Sequence, residues 1–426
     1  MSVNVLFSRE AILNKNGLTH MQVEINPPKA EVKENSKPVL MVIVLDRSGS
    51  MGMSADSRPV VAGESATKMD YAINSTIKFT GLLTDKDMIG VVSFDDMAVI
   101  EQKLVNVTEA NKKEIIRNVR NIQPRGCTNI SDALITAKKM ITKEHLDNYN
   151  CKIILLSDGE ANRGVCDIDG LSSIALDCLK NGITVTSLGI GLQYNSKIMD
   201  TIATSGGGLF YHIEDLSLLN NIFEEELKLS NTITAKGVKL FIKVSEPLEI
   251  GENMNEYAQE VKDDEIEIYI GDIHNQRRVL FEIKNDFVED EKDCTFEVRV
   301  CYTNREGTQI IETVEKKIRV VQSEEELKKY EENEEVVKRV AILLQNATII
   351  YTSHLYEKGD FHGLTHALSN ANSKLETLSH SYSCASGCLQ ATMDDLKVVA
   401  SNYTTQSYSA SDVKTMYARS RSATRE

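Results

Sequence analysis

Four continuous apolar runs govern what this chain can fold into: "VLMVIVL" (39–45), "MIGVVSF" (88–94), "KIILLS" (152–157) and "ITVTSLGIG" (183–191). Runs without polar alternation are covered on both faces, as parallel strands inside an α/β protein are. Helical periods lie between them. Met69, Ile73 and Ile77 recur every four residues, and Ile115, Val119 and Ile122 do much the same. Strand alternating with helix predicts an α/β fold with a doubly wound, mostly parallel, Rossmann-like sheet. Its last unit passes through "SGGGLFYHI", where Gly206 to Gly208 supply a tight turn, into a helix over about 216–229.

After Ser230 the period changes to two. "VKLFIKV", "EIEIYIGDI", "RRVLFEI", "CTFEVRVCY" and "ETVEKKIRVV" read as antiparallel strands with one wet face. "VNVLFS" and "THMQVEI" near the N-terminus read as two more. The economical arrangement joins 1–36 and 232–322 into one discontinuous β-sandwich, with an α/β domain at 37–231 inserted between them. A free-standing N-terminal hairpin is the alternative, but a lone hairpin is marginal in water. From Ser323, which with Glu326 makes a capping-box pattern, the chain turns helical. A helical hairpin is expected over 323–382, and a short helix with a flexible Ser/Thr-rich tail over 383–426.

Composition narrows the function classes. The formal charge of −15 argues against a phosphate-binding surface, so no nucleic-acid partner is expected. No run approaches the roughly 18 to 20 apolar residues that a membrane span needs. The N-terminus lacks the basic-then-apolar order of a secretory signal. Eight scattered cysteines then read as reduced thiols in a cytoplasmic protein.

In an open α/β sheet, ligands bind beyond the C-terminal strand ends. Asp46 follows the first run, with Ser48 and Ser50 on the next loop, "LDRSGSM". Asp158 follows "KIILLS" within "SDGEAN", and "PRGCTNISDAL" puts Thr128 at the mouth of a helix starting near Ser131. Turn and capping chemistry explains any one of these residues. Five on three loops at one sheet edge suggest a ligand site. Oxygen donors without His or Cys select Mg²⁺, Mn²⁺ or Ca²⁺. Two carboxylates balance a divalent charge, and three neutral hydroxyls leave the ion electrophilic enough to take an outside carboxylate.

Other signals are weaker. "HGLTH" (His362, His366) lacks the glutamate of a zinc-protease helix, and "CASGC" (Cys384, Cys388) has the wrong spacing for a redox pair. "GIG" at 189–191 lacks the rest of a dinucleotide fingerprint. Cys127, beside Thr128, reads as a small packed residue, with a reactive thiol as the alternative.

"DRSGS", "GCTNISDAL" and "LLSDGEAN" resemble the Asp-x-Ser-x-Ser, Thr and Asp elements of the metal-ion-dependent adhesion site of von Willebrand factor A domains, over about 38–230. The resemblance implies that Ser48 and Ser50 ligate the ion directly. Thr128 would do so directly or through water, and Asp46 and Asp158 mainly through water. The flanking regions resemble bacterial proteins in which the A domain is inserted into a β-sandwich. The stretch 51–68 is longer than the family's usual link and reads as a flap over the ion, as part of a partner surface, or as a plain surface loop. The expected function is a divalent-cation-dependent protein-interaction module or adaptor, not an enzyme, whose partner supplies an Asp or Glu to the ion. The alternative is a metal-dependent hydrolase or phosphatase, for which Glu160, Asp95 and Asp96 are the nearby acid–base candidates.

Overall fold

The computed structural model describes residues 1–27, 37–54, 66–287, 292–405 and 407–425. It divides into two compact units, 1–28 with 238–426, and 29–237. Three strands open the chain: β1 (Ser2–Phe7), β2 (Ala11–Leu13) and β3 (Lys15–Asn26). β1 and β3 pair antiparallel, from Ser2 opposite Asn26 to Phe7 opposite Met21.

The 29–237 unit follows, with helices between most of its strands. Its elements are β4 (Val39–Asp46), α1 (Lys68–Leu82), β5 (Met88–Phe94), β6 (Ala98–Asn106), α2 (Glu109–Arg120), α3 (Ile130–Met140), α4 (Lys143–Asn148), β7 (Asn150–Ser157), α5 (Ile168–Lys180), β8 (Ile183–Ile190), α6 (Ser196–Ser205), β9 (Gly207–Ile213) and α7 (Leu219–Asn231). The sheet order is β6-β5-β4-β7-β8-β9. All neighbours are parallel except β6, which returns antiparallel along β5. This is the α/β architecture expected from the apolar runs. Every residue of β4 and β8 is buried, as two covered faces require.

Helix starts follow local capping chemistry. Thr67, Thr108, Asn129, Asp167 and Asn195 each accept a backbone N–H of the first turn, and Thr67 with Asp70 forms a full capping box. Gly208 does more than turn the chain. A Cβ there would lie 2.3 Å from the Val185 carbonyl oxygen, so only glycine lets β9 approach β8. Gly189, from "GIG", likewise leaves room for the Tyr194 ring, which a Cβ would meet at 2.3 Å.

The other unit continues with β10 (Ala235–Val244), β11 (Glu249–Asn253), β12 (Ala258–Lys262), β13 (Glu265–Ile273), β14 (Arg277–Phe287), β15 (Lys292–Thr303) and β16 (Gln309–Val321). There are seven strands here rather than five. The added pair, β11 and β12, are short and largely exposed, and their sequences carry little alternation. Two sheets result, β1-β3-β14-β11 and β12-β13-β10-β15-β16-β2. β3 pairs along β14 from Ile25 opposite Arg277 to Lys15 opposite Phe287, and β2 runs parallel to β16. The first 26 residues thus share hydrogen-bonded sheets with strands more than 250 residues away.

Helices complete the unit: α8 (Glu324–Leu327), α9 (Glu334–Glu357), α10 (Phe361–Ser381), α11 (Ser386–Thr404) and α12 (Ala410–Arg425). The expected short helix and flexible tail over 383–426 are replaced by two packed helices. Leu389, Leu396, Tyr403 and Val413 are buried in one cluster with Leu343, Leu375 and Tyr382, and Tyr417 is buried as well. Tyrosine is the physical reason. Tyr403 buries its ring yet hydrogen-bonds Ser353 through its hydroxyl at 3.2 Å, and Lys414 pairs with Glu357 at 2.9 Å. Among the described residues, no helix is long and apolar enough to cross a membrane. Of the long 51–68 link, residues 55–65 lie outside the described residues.

Candidate metal centre

β4 has β5 on one side and β7 on the other, so the winding of the sheet reverses at β4. Connections leave a reversal point in opposite directions, which opens a crevice beyond the strand's C-terminal end. Asp46 is the last residue of β4 and stands at that crevice. The loop after it carries Ser48 and Ser50, the loop after β7 carries Asp158, and the loop before α3 carries Thr128.

Direct contacts link four of these residues. Asp46 Oδ1 accepts the Ser48 backbone N–H at 2.7 Å, and the Ser48 and Ser50 hydroxyl oxygens lie 3.1 Å apart. Ser50 donates to Asp158 Oδ1 at 2.7 Å. Thr128 joins them across Gly159, where a Cβ would sit 3.5 Å from Thr128 Oγ1 and 3.8 Å from Ser50 Oγ. Asp46, Ser48, Thr128 and Asp158 are buried and Ser50 is half-buried. The structure therefore places all five residues named from the sequence around one point.

The loops brace one another through their backbones. Arg125 N–H donates to Arg47 O at 2.6 Å, Gly49 N–H to Gly126 O at 3.3 Å, and Asn129 N–H to Asp95 O at 2.9 Å. Asn162 clasps Thr128 from both sides: its side-chain oxygen accepts Thr128 N–H at 2.9 Å, and its own N–H donates to Thr128 O at 3.1 Å. Next to them is an ion cluster in which buried Asp95 Oδ2 receives the buried Arg47 Nε at 3.0 Å and the largely exposed Arg125 Nε at 2.8 Å. Burial alone would push the Asp95 carboxyl up. Hydrogen bonds from Arg125, the Met97 backbone and Arg47 outweigh that and leave it below its ordinary value.

Three contributors escaped the sequence reading. Ser157 donates to Asp46 Oδ2 at 2.5 Å. Arg47, inside the motif, is buried and ties the loop to Asp95 and Glu101. Lys68, at the start of α1, donates to Asp158 Oδ2 at 2.7 Å with both side chains wholly buried. Ser157 could have been found as the residue before Asp158. Lys68 gives no local signal, because a lysine opening a helix normally reads as solvated.

The donor set suits a hard divalent cation: hydroxyl and carboxylate oxygens only, with two carboxylates to balance the charge. Asp46 itself is pushed up to about 7, chiefly by burial, with Asp158 adding to it and hydrogen bonds from Ser157 and Ser48 opposing it. A cation beside Asp46 would reverse the effect of burial. Among the described residues, no group of three or more His, Cys, Asp or Glu is placed to hold a metal, and this site itself offers two carboxylates with three hydroxyls. His366 instead contacts Asn370, and no disulfide joins the cysteines among the described residues. A cavity of about 560 Å³ lies in the other unit, lined by Leu343, Leu344, Ala371, Tyr382 and His20; it contains none of the five residues.

Residues 41–225 of the chain match the model of the von Willebrand factor type A domain, and the α/β architecture of this unit is the fold of that domain. The chain is 26% identical over 204 residues to the uncharacterized protein YfbK of Escherichia coli strain K12, a match covering 48% of this chain and 33% of that protein. The chain thus spans only about a third of that relative. Among solved structures, a von Willebrand factor type A protein from Catenulispora acidiphila superposes with a TM-score of 0.67 at 17% identity, covering 93% of this chain and 89% of that one. The ArnB paralog VWA2 from Sulfolobus acidocaldarius gives 0.61 at 17% identity, over 100% and 98%. At these identities the two structures establish the fold alone.

Proposed function

We propose that the protein is a divalent-cation-dependent interaction module, whose partner completes the coordination of an ion held at Asp46, Ser48, Ser50, Thr128 and Asp158. The observation that carries this reading is the convergence of three hydroxyls and two buried carboxylates at the reversal point of the sheet. Ser48, Ser50 and Thr128 offer neutral oxygens to the ion, and Asp46 and Asp158 supply the balancing charge. The ion, when bound, supplies an electrophilic point with room for an outside ligand. A carboxylate is the hardest and most strongly attracted ligand that a protein partner offers. The oxygen-only donor set fits Mg²⁺, Mn²⁺ or Ca²⁺. The scattered spacing of the eight cysteines, without a disulfide framework pattern, supports a reducing, cytoplasmic setting for an adaptor of this kind.

Two features favour binding over metal-assisted hydrolysis. Hydrolysis calls for a positioned acid or base beside the ion. Asp95 is committed to Arg47 and Arg125, while Asp96 and Glu160 are exposed. Isothermal titration of the full chain with Mg²⁺ and Mn²⁺ tests the site. One ion should bind wild type, and Ser48→Ala/Ser50→Ala should abolish it while circular dichroism stays unchanged. Capture of a partner from native extract should then fail equally with chelator and with the double variant. Ion binding that survives in the double variant would remove the proposal.

A further inference from the structure

Lys68 is completely buried, and its ammonium sits 2.7 Å from Asp158 Oδ2. Lysine is almost never fully buried unless paired, because removing its charge from water is costly. Its position is set firmly. Thr67 and Asp70 cap the helix that Lys68 opens, and Lys68 N–H donates to Met53 O at 2.9 Å. The ammonium is therefore delivered by the start of α1 and not by a wandering surface chain. Asp158 receives Ser50 on its other oxygen at 2.7 Å. Both oxygens of this one carboxylate are engaged from inside the protein.

We infer that Lys68 is a resident counter-ion of the site. Its ammonium holds Asp158 in place when no divalent ion is bound, and it competes with that ion for the same carboxylate. The inference rests on the metal-site reading above. Two buried carboxylates, Asp46 and Asp158, face a single crevice, and the domain must fold before it meets its ion. A fixed internal cation meets that requirement. The consequence follows from charge alone. A monovalent cation bonded to Asp158 both repels a divalent ion and uses part of the charge that would attract it, and low dielectric magnifies both effects. Lys68 thus sets a weaker, more readily reversible affinity than the five oxygen donors alone would give.

The test uses the full chain, with Mg²⁺ and Mn²⁺ as probes, in wild type and Lys68→Met. Titration calorimetry should show the variant binding the ion at least roughly tenfold more tightly. Thermal melts supply a second readout. In chelator, Lys68→Met should melt well below wild type, and added ion should restore it, so the ion-induced rise in Tm exceeds that of wild type. A lysine that merely fills space would lower Tm equally with and without ion and leave ion affinity unchanged. That result, or weaker binding in the variant, overturns the inference. Wild type that binds no ion would instead defeat the metal-site reading itself. Should Lys68→Met not fold in chelator, the comparison is made in ion and repeated with Lys68→Gln, which keeps a donor to Asp158 without the charge. Failure of both variants to fold even in ion also overturns the inference, because the ion is expected to replace the missing charge.

Discussion

Asp46→Asn separates the chemistry of the site from its packing. In the ion-free protein the Asp46 carboxyl is wholly buried and raised from an ordinary 3.8 to about 7, first by burial. Between those two values the folded state holds a proton that the unfolded state has released. Stability must therefore fall as pH rises through this window and stay low above it. By pH 8 the gap corresponds to roughly 4 kcal/mol. Asparagine carries no charge. Its oxygen can still accept the Ser48 N–H, and its amide can donate to Ser157 once that hydroxyl turns. Ion-free Asp46→Asn should accordingly be more stable than wild type at pH 8 by a large part of that roughly 4 kcal/mol, and by little near pH 4. Mg²⁺ should raise the Tm of wild type and leave the variant unmoved. Urea unfolding in chelator at the two pH values, with melts in Mg²⁺, measures both. A variant less stable than wild type at pH 8, or one stabilised equally by Mg²⁺, would refute the argument.

Two further perturbations address the units separately. Glu226 on α7 is wholly buried and gathers Lys152 at 2.6 Å, Thr186 at 3.1 Å and Tyr211 at 2.9 Å. Glu226→Gln should leave the Lys152 ammonium uncompensated and cost about 3–5 kcal/mol in urea unfolding, most of it recovered in Lys152→Met/Glu226→Leu; a loss below about 1 kcal/mol would refute this. His20 on β3 is buried, its Nδ1 has no hydrogen-bond partner, and burial lowers it from 6.5 to about 4, with Lys374 assisting and Glu282 opposing. The unfolded chain then takes up a proton that the fold refuses, so stability is lost as pH falls from 6.5 towards 4, by roughly 3 kcal/mol in all. His20→Leu should flatten that decline, and equal acid sensitivity in the variant would exclude His20 as its source.

What the sequence made legible was whatever depends on neighbours along the chain. An unbroken apolar run ending in Asp46 announces a covered parallel strand with a carboxylate at its tip, and the helical periods between runs announce the winding. β6 was missed because it is an edge strand, half exposed along "AVIEQKLVN", with neither a continuous run nor clean alternation. Of the C-terminal helices, the sequence predicts α11 only as a short helix and α12 as tail, because Tyr403 and Tyr417, which a count of polar residues reads as wet, are buried there beside Leu389, Leu396 and Val413. Lys68 is the sharpest case. Its burial is decided by Asp158, ninety positions away, and no local pattern carries that information.

The arrangement of the loops bears on how such a site would work. Each of the three loops that present a ligand is hydrogen-bonded to another by its backbone, and Arg47 anchors the first of them from below through Asp95 and Glu101. Ordering a loop costs about 1–2 kcal/mol for each backbone residue fixed. Here that cost is met when the domain folds, because the Ser48 and Ser50 hydroxyls already lie 3.1 Å apart and those of Ser50 and Thr128 both stand beside Gly159. Donors that are pre-positioned lose little freedom when they engage a ligand, so more of the interaction energy appears as affinity. A site assembled in this way has no need to hold its ion tightly in order to keep its shape. An internal ammonium at Asp158 is compatible with that design: shape comes from the backbone braces, and the strength of ion binding is left to be set by charge.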